Sequence, residues 1–385
     1  MGLWRFMTAG ESHGPGLVGI VEGVPAQIPL TAEFINEDLS RRQKGYGRGG
    51  RMTIEKDQVE FFGGVRHGKT LGSPVALLVK NRDFANWQES MAPGKGQADR
   101  IVTRPRPGHA DLVGGIKYGH RDLRNVLERA SARETTMRVA LGAVARSFLR
   151  ELGIEVRGHV LSIGDVHAPY RDYTLEDLLS SENSSVRVVD PSVEKAMTEA
   201  IDQAKEKGDT LGGIFEIRAF NLPVGLGSYV QFYRRLEGQL AQALLSIPAM
   251  KAVEVGTGMA QAEVPGSQVH DAIWWDKEQG FSRLTNRAGG IEGGISTGMP
   301  VAVRVAMKPL STLLSPLGSF DIESKEPFLA QVERSDVTAV PPAVVIGEAM
   351  VMHVLADAVT EKFGGDSLPE ILERVEYWKR YVKEY

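Results

Sequence analysis

Apolar and polar positions along the chain follow two rhythms. Ile214-Phe-Glu-Ile-Arg-Ala-Phe220 partly alternates and predicts a strand, and Val75-Ala-Leu-Leu-Val79 is an apolar run of strand length. Other segments carry helix signals. Residues 31–44 predict a helix that Thr31 caps, with Glu33, Glu37 and Asp38 early, Arg41, Arg42 and Lys44 late, and Gly45 as its stop. The stretch 123–152 is rich in Ala, Leu, Arg and Glu and predicts one long helix ended by Gly153. Asp190-Pro191 opens another helix, closed by Gly208. Further helices are predicted around 229–247 and 342–362, and a short amphipathic one closes the chain. The βαβα rhythm of a doubly wound sheet is missing, so the pattern predicts an α+β fold. No shift of composition marks a domain boundary.

Two familiar motifs fail on their context. Gly63-Gly-Val-Arg-His-Gly68-Lys69-Thr70 matches the phosphate-loop pattern G-x-x-x-x-G-K-[ST]. That motif needs a helix directly after Lys-Thr, so that the first N–H groups face the phosphates. Here Leu71-Gly72-Ser73-Pro74 and a strand follow, which predicts a turn between strands. Gly45-Tyr-Gly47-Arg-Gly49-Gly50 fits G-x-G-x-x-G but follows a helix, the reverse of the context a dinucleotide site needs.

Composition narrows the classes. Of 385 residues, 24% are charged and 42% hydrophobic, which excludes bulk disorder. Cysteine is absent, which excludes disulfides, thiolate metal sites and a cysteine nucleophile. No H-E-x-x-H or H-x-H spacing occurs, so no metal is expected. The uninterrupted apolar runs fall far short of the ~18 residues of a membrane helix, and the first residues lack a signal-peptide core. These features predict a cytoplasmic protein with no membrane partner.

Charge is unevenly spread. Residues 1–150 carry 23 Lys and Arg against 15 Asp and Glu, whereas 151–385 carry 22 against 34. A basic half within an acidic chain points to a local anionic ligand. Arg41, Arg42, Lys44, Arg48 and Arg51 fall in eleven residues with no acid among them. Glycines there would let backbone close around a phosphate while arginine supplies forked donors. Thr103-Arg104-Pro105-Arg106-Pro107-Gly108-His109 adds two arginines and a histidine on a proline-stiffened loop. Arg129 and Arg133, four apart on the predicted helix with Ser131 between, would share one face. The arginine clusters lack the interleaved aromatics that stack on bases, which argues against nucleic acid. An ATP-dependent kinase would rest on the failed phosphate loop alone.

Three longer segments carry a resemblance. Gly10-Glu11-Ser12-His13-Gly14-Pro15-Gly16, continuing to Pro25, is similar to the amino-terminal motif of the chorismate synthase family. Glu128-Arg129-Ala130-Ser131-Ala132-Arg133-Glu134-Thr135 resembles its second motif, and Arg334-Ser335-Asp336-Val337 with Pro341-Pro342-Ala343 its third. Arg104-Pro-Arg-Pro-Gly-His109 matches as well. The motifs come in family order and span nearly the whole chain, which implies one domain over 1–385. The resemblance also implies a β-α-β sandwich, with helices between antiparallel sheets, in a homotetramer. The implied reaction is 1,4-anti elimination of phosphate and a ring proton from 5-enolpyruvylshikimate 3-phosphate, giving chorismate, the last step of the shikimate pathway. The family needs reduced FMN, which is thought to lend the substrate an electron and recover it. Some members reduce the flavin with NADPH; this chain shows no extra reductase domain, so an external reductant is expected.

Carried over by position, the resemblance implies these roles. His13 protonates the departing phosphate, His109 protonates the flavin, and Asp336 stands beside the flavin to assist removal of the ring proton. Ser12, Arg42, Arg48, Arg51, Arg106 and Arg133 match substrate positions. Arg129, Ala130, Ser131, Pro248, Ala249, Gly293, Lys308, Pro309, Leu310, Ser311, Thr312 and Arg334 match FMN positions. Pro248 departs from the family, where asparagine is common; proline brings neither an N–H nor a side-chain amide.

Overall fold

The computed structural model describes residues 4–48, 56–96, 99–277, 280–332 and 335–385. Strands β1 (Arg5–Ala9) and β2 (Gly16–Glu22) pair antiparallel, with Met7 opposite Ile20. Helix α1 (Ala32–Gln43) is capped by Thr31, whose hydroxyl accepts from the Phe34 N–H, and it ends one residue before the predicted stop, at an extended Lys44. Then come β3 (Val59–Gly63), the hairpin β4 (Val65–Arg66) and β5 (Lys69–Thr70), and β6 (Val75–Lys80). The first sheet is antiparallel, in the order β1-β2-β6-β3.

The phosphate-loop look-alike is the β4–β5 hairpin. His67 and Gly68 take left-handed φ values of 49° and 73°, as a tight two-residue turn requires, and strands flank it on both sides. Lys69→Ala is therefore expected to leave steady-state turnover within a few-fold of wild type. A loss of about a thousandfold, the scale for a lost phosphate ligand, would contradict that.

The predicted single helix over 123–152 is two. After α2 (Asp111–Tyr118), α3 (Arg124–Ala130) stops at Ser131, which is extended with ψ 143°. The Ser131 hydroxyl accepts from the Arg133 N–H and caps a short 3₁₀ turn that leads into α4 (Thr135–Glu151). A serine that bonds the backbone locally competes with helix continuation, and periodicity does not reveal this. Arg129 and Arg133 therefore do not share a face. Arg129 is exposed on α3 and Arg133 is buried under the turn.

The second half begins with β7 (Glu155–Ile163), β8 (Val166–His167), α5 (Leu175–Ser180), α6 (Pro191–Glu206) and β9 (Gly213–Phe220). The helix predicted over 229–247 shortens to α7 (Leu236–Leu245), preceded by a 3₁₀ turn at Phe232–Arg234. β10 (Met250–Val255), α8 (Gly266–Val269), and the hairpins β11 (Ile273–Asp276) with β12 (Gly280–Arg283) and β13 (Ile291–Glu292) with β14 (Ile295–Ser296) follow. Last are β15 (Val301–Met307), the hairpin β16 (Gly318–Phe320) with β17 (Pro327–Leu329), α9 (Val340–Phe363) and α10 (Leu368–Glu384). The second sheet is antiparallel, in the order β10-β15-β9-β7-β8.

Helices fill the space between the sheets. α4 packs on β2 and β6, α9 packs on β7 and β9, and the two helices pack on each other. Glycine makes the close crossings: a Cβ on Gly142 would lie 2.4 Å from the Ala349 Cβ, and one on Gly347 would lie 2.5 Å from Ile217 Cδ1. By length and composition α9 is apolar enough to cross a membrane, contrary to the expectation from short apolar runs. Here it is buried, and its all-round apolar surface meets helices on one side and a sheet on the other. Its one buried acid, Glu348, accepts from the Gly158 N–H at 2.8 Å and from Arg41 Nη1 at 2.7 Å.

Candidate active site

The turn between β1 and β2 carries Ser12 and His13, and Asn81, just past β6, holds that turn. Its amide donates to the carbonyls of Glu11 at 3.1 Å and Gly14 at 2.8 Å, while its Oδ1 accepts from Arg133 Nε at 3.0 Å. The second motif arrives from the other side. Glu128 accepts from His13 Nδ1 at 2.9 Å and from the His13 N–H at 2.8 Å. Ser131 Oγ donates to Ser12 Oγ at 3.2 Å. The His13 ring stacks on Trp87, centroids 3.9 Å apart.

Arginines gather beside this turn. Arg133 Nη1 pairs with Asp57 at 2.6 Å. Arg42 donates through Nε and Nη2 to Thr135 Oγ1 and through Nη2 to the Ala132 carbonyl, with Asp57 3.9 Å from Nη1. Arg48 pairs with Asp336 at 3.0 Å. Burial pushes the Arg42 guanidinium down to about 9; Asp57 and Asp336 oppose that shift while Arg48 and Arg133 add to it. A buried guanidinium with two more guanidiniums nearby is a place where an arriving anion would be stabilised. Arg51 and Arg334, also expected in the site, lie outside the described residues.

A second cluster forms around His109. Asp111, at the start of α2, accepts from His109 Nδ1 at 2.5 Å and from Arg106 Nε at 2.8 Å and Nη2 at 3.1 Å. Burial raises the Asp111 carboxyl, but His109 and Arg106 more than offset it and hold it far below the usual carboxylate range. Arg106 Nη1 donates to Thr312 Oγ1 at 2.9 Å, so this loop meets the 308–312 segment. A Cβ on Gly108 would lie 3.5 Å from Lys308 Nζ. The Lys308 N–H donates to the Ala249 carbonyl at 3.0 Å. Pro248 and Ala249 occupy the turn closed by the Met250 N–H on the Ile247 carbonyl, with Ala249 at φ 72°. Proline suits the second position of such a turn, which gives Pro248 a structural reason of its own.

Hydrogen bonds to backbone carbonyls tie the two clusters. The Val337 N–H donates to the Gly47 carbonyl, the Leu211 N–H to the Val337 carbonyl, and Thr210 Oγ1 to the Leu310 carbonyl. The chain runs from Arg48 and Asp336 through Thr210 to Leu310 and Thr312, and so to Arg106 and His109. Arg129 reaches the other way, donating to Thr8 at 2.8 Å and to the Gly10 carbonyl at 3.3 Å. Ala130, Pro309 and Ser311 come with their neighbours. Gly293 lies in the β13–β14 turn, at φ 59° with open space where a Cβ would be.

Sequence reasoning gave no role to five residues that build this geometry: Asp57, Asn81, Trp87, Asp111 and Glu128. Asp111 is two positions from His109 and Glu128 stands within a quoted motif, so adjacency was the available signal. Asp57, Asn81 and Trp87 reach the site only through the fold.

The fold and site thus define an α+β protein that gathers buried arginines and two histidines, each paired with a carboxylate. Residues 4–360 match the sequence model of the chorismate synthase family. Chorismate synthase from Geobacillus kaustophilus (strain HTA426) is 58% identical over 387 aligned residues, covering 99% of this chain and 100% of that protein. The one from Desulforamulus reducens (strain ATCC BAA-1160 / DSM 100696 / MI-1) is 56% identical, covering 99% of each. A crystal structure of chorismate synthase superposes with a TM-score of 0.82 at 45% identity, over 99% of both chains. The chain belongs to the chorismate synthase family. It is a phosphate-eliminating lyase that converts 5-enolpyruvylshikimate 3-phosphate to chorismate in the last step of the shikimate pathway.

Proposed function

We propose that the chain performs this elimination as one domain with reduced FMN. The arginine set of Arg42, Arg48 and Arg133 takes the substrate's phosphate and carboxylates, and His13 is the acid for the leaving phosphate. What carries this reading is the crowding of those arginines around Asp57 and Asp336, tied through Asn81 to the turn that carries His13. Forked guanidiniums in a partly dry pocket stabilise clustered anionic charge where it develops.

The residues also fit a flavin phosphate. Burial, with the ammonium of Lys251 alongside, holds Lys308 below the ordinary lysine range, and an anion would relieve that pair. Lys308, Ser311 and Thr312 would hold the group, with Ala249 and Arg106 packed against the same segment. Reduced FMN, when bound, supplies an electron that assists phosphate departure and is returned. His109 holds a proton on that side, oriented by Asp111, and Asp336 receives or relays the ring proton.

A homotetramer belongs to the same reading. Met7, Val18, Ile20 and Phe62 leave an exposed apolar surface on the first sheet, and surfaces of that kind mark association sites. An external flavin reductant and a cytoplasmic setting complete it.

Anaerobic turnover tests the whole. Phosphate and chorismate are expected to form from the enolpyruvyl substrate with reduced FMN and not without it; equal rates in both would refute the flavin requirement. Arg48→Ala is expected to raise KM and lower turnover while binding FMN alone nearly normally. Lysine is expected to rescue only partly, because an ammonium lacks the guanidinium fork. Normal substrate binding by Arg48→Ala would refute the arginine cradle.

A further inference from the structure

His13 is held on two sides. Trp87 stacks on its ring at 3.9 Å and 26°, and Arg100 lies 4.0 Å over Trp87. Both oxygens of Glu128, whose side chain is 2% exposed, face His13 Nδ1 at 2.9 and 3.1 Å. Burial raises the Glu128 carboxyl, but the hydrogen bonds and charge of His13, with the charge of Arg124, outweigh it and bring it below the ordinary glutamate range. Glu128 is thus a carboxylate, and a carboxylate only accepts. Nδ1 must therefore carry a hydrogen in this pair.

The same residue sets the backbone. Glu128 Oε2 also accepts from the His13 N–H at 2.8 Å, and its carbonyl accepts from the Ser12 N–H at 3.0 Å. The charged groups packed around the imidazole and its two partners are Glu128 and Arg124 from α3 and Arg100 across Trp87, with Glu11 elsewhere in its own turn, beside Gly14. Only Glu128 meets a ring nitrogen among these contacts.

We propose that Glu128 is a positioning residue: from α3 it keeps the hydrogen of His13 on Nδ1, making Nε2 the atom that delivers a proton to the departing phosphate. This rests on the reading of His13 as the acid. An imidazole whose nitrogens are not fixed in this way divides its time between tautomers, one of which offers the wrong nitrogen. When the imidazolium gives up its Nε2 proton, the Nδ1–H form from which Glu128 accepts is what remains.

Glu128→Gln separates the roles. Glutamine has one oxygen where glutamate uses two, one for the His13 N–H and one for Nδ1. The backbone N–H cannot change, but the imidazole can invert by accepting at Nδ1 from the new amide and moving its hydrogen to Nε2. Long-range ¹H–¹⁵N NMR of histidine-labelled full-length protein reads this directly, with the His13 signal assigned by its loss in His13→Ala. The native protein is expected to show hydrogen on Nδ1, and Glu128→Gln to show the inverted form. kcat is expected to fall on the order of a hundredfold, the scale of one acid–base group, with KM little changed. Glu128→Asp, which keeps the charge, is expected to retain the native tautomer and more of the rate.

A native spectrum with bare Nδ1 would overturn the proposal, and it needs no variant to fold. Inversion without loss of kcat would overturn it too, as would loss without inversion, which marks a structural effect. If His13→Ala leaves turnover unchanged while Glu128→Gln still inverts the tautomer, the acid assignment fails while the pairing stands.

Discussion

With pre-reduced FMN supplied anaerobically, His13→Ala is expected to lower kcat by about 10²–10⁴-fold, the range for removal of one general acid. KM is expected to move little, because the phosphate is held by arginines on other elements: Arg42 is in the last turn of α1 and Arg133 stands in the turn before α4. Those arginines keep their own partners, Thr135 and Asp57, when the imidazole is gone. His109→Ala is the contrast. Arg106 keeps its side-chain bonds to Asp111, so the loop that carries it is expected to persist. The change is expected in the absorption spectrum of bound reduced FMN, whose protonation His109 would control. Single-turnover phosphate release and flavin spectra in the two variants check both assignments. Equal spectra and rates in wild type and both variants would refute them.

The parts of this site legible in the sequence were those whose chemistry is local. The Thr31 cap, the Asp190-Pro191 start and the strand near Ile214 follow from neighbours a few residues away, and the structure has them. The phosphate-loop match was rejected on the residues just after it, for the reason the β4–β5 hairpin displays. The helix over 123–152 misled because composition and period run unbroken through Ser131, while one side-chain bond to the Arg133 N–H redirects the backbone. Carboxylate partners were invisible for another reason. Asp57 meets Arg133 across 76 positions, and Asn81 meets it across 52, so nothing in spacing links them. An arginine cluster read from sequence looks free of acid; in the fold, Asp57 and Asp336 are set among its members. Among the described residues the cradle is therefore less cationic than its sequence suggests.

That partial neutralisation shapes the expected result for Asp336→Asn. Among the described residues, three guanidiniums, of Arg42, Arg48 and Arg133, face two carboxylates, of Asp57 and Asp336. Asparagine keeps the size and one acceptor oxygen, so a hydrogen bond to Arg48 survives while one negative charge is lost. The pocket becomes more positive, and the anionic substrate is expected to bind as well as before or more tightly. Chemistry moves the other way. A ring C–H beside developing positive or radical character is acidic, yet it still needs a base on the right face. With the carboxylate gone, kcat is expected to fall about 10²–10⁴-fold. The signature is a split, KM equal or lower and kcat sharply down, which mere disordering of Arg48 would not produce because it would raise KM. Substrate deuterated at the departing ring hydrogen sharpens the test. A larger single-turnover isotope effect in Asp336→Asn means that proton removal has become slower. An unchanged isotope effect with raised KM would reduce Asp336 to a support for Arg48.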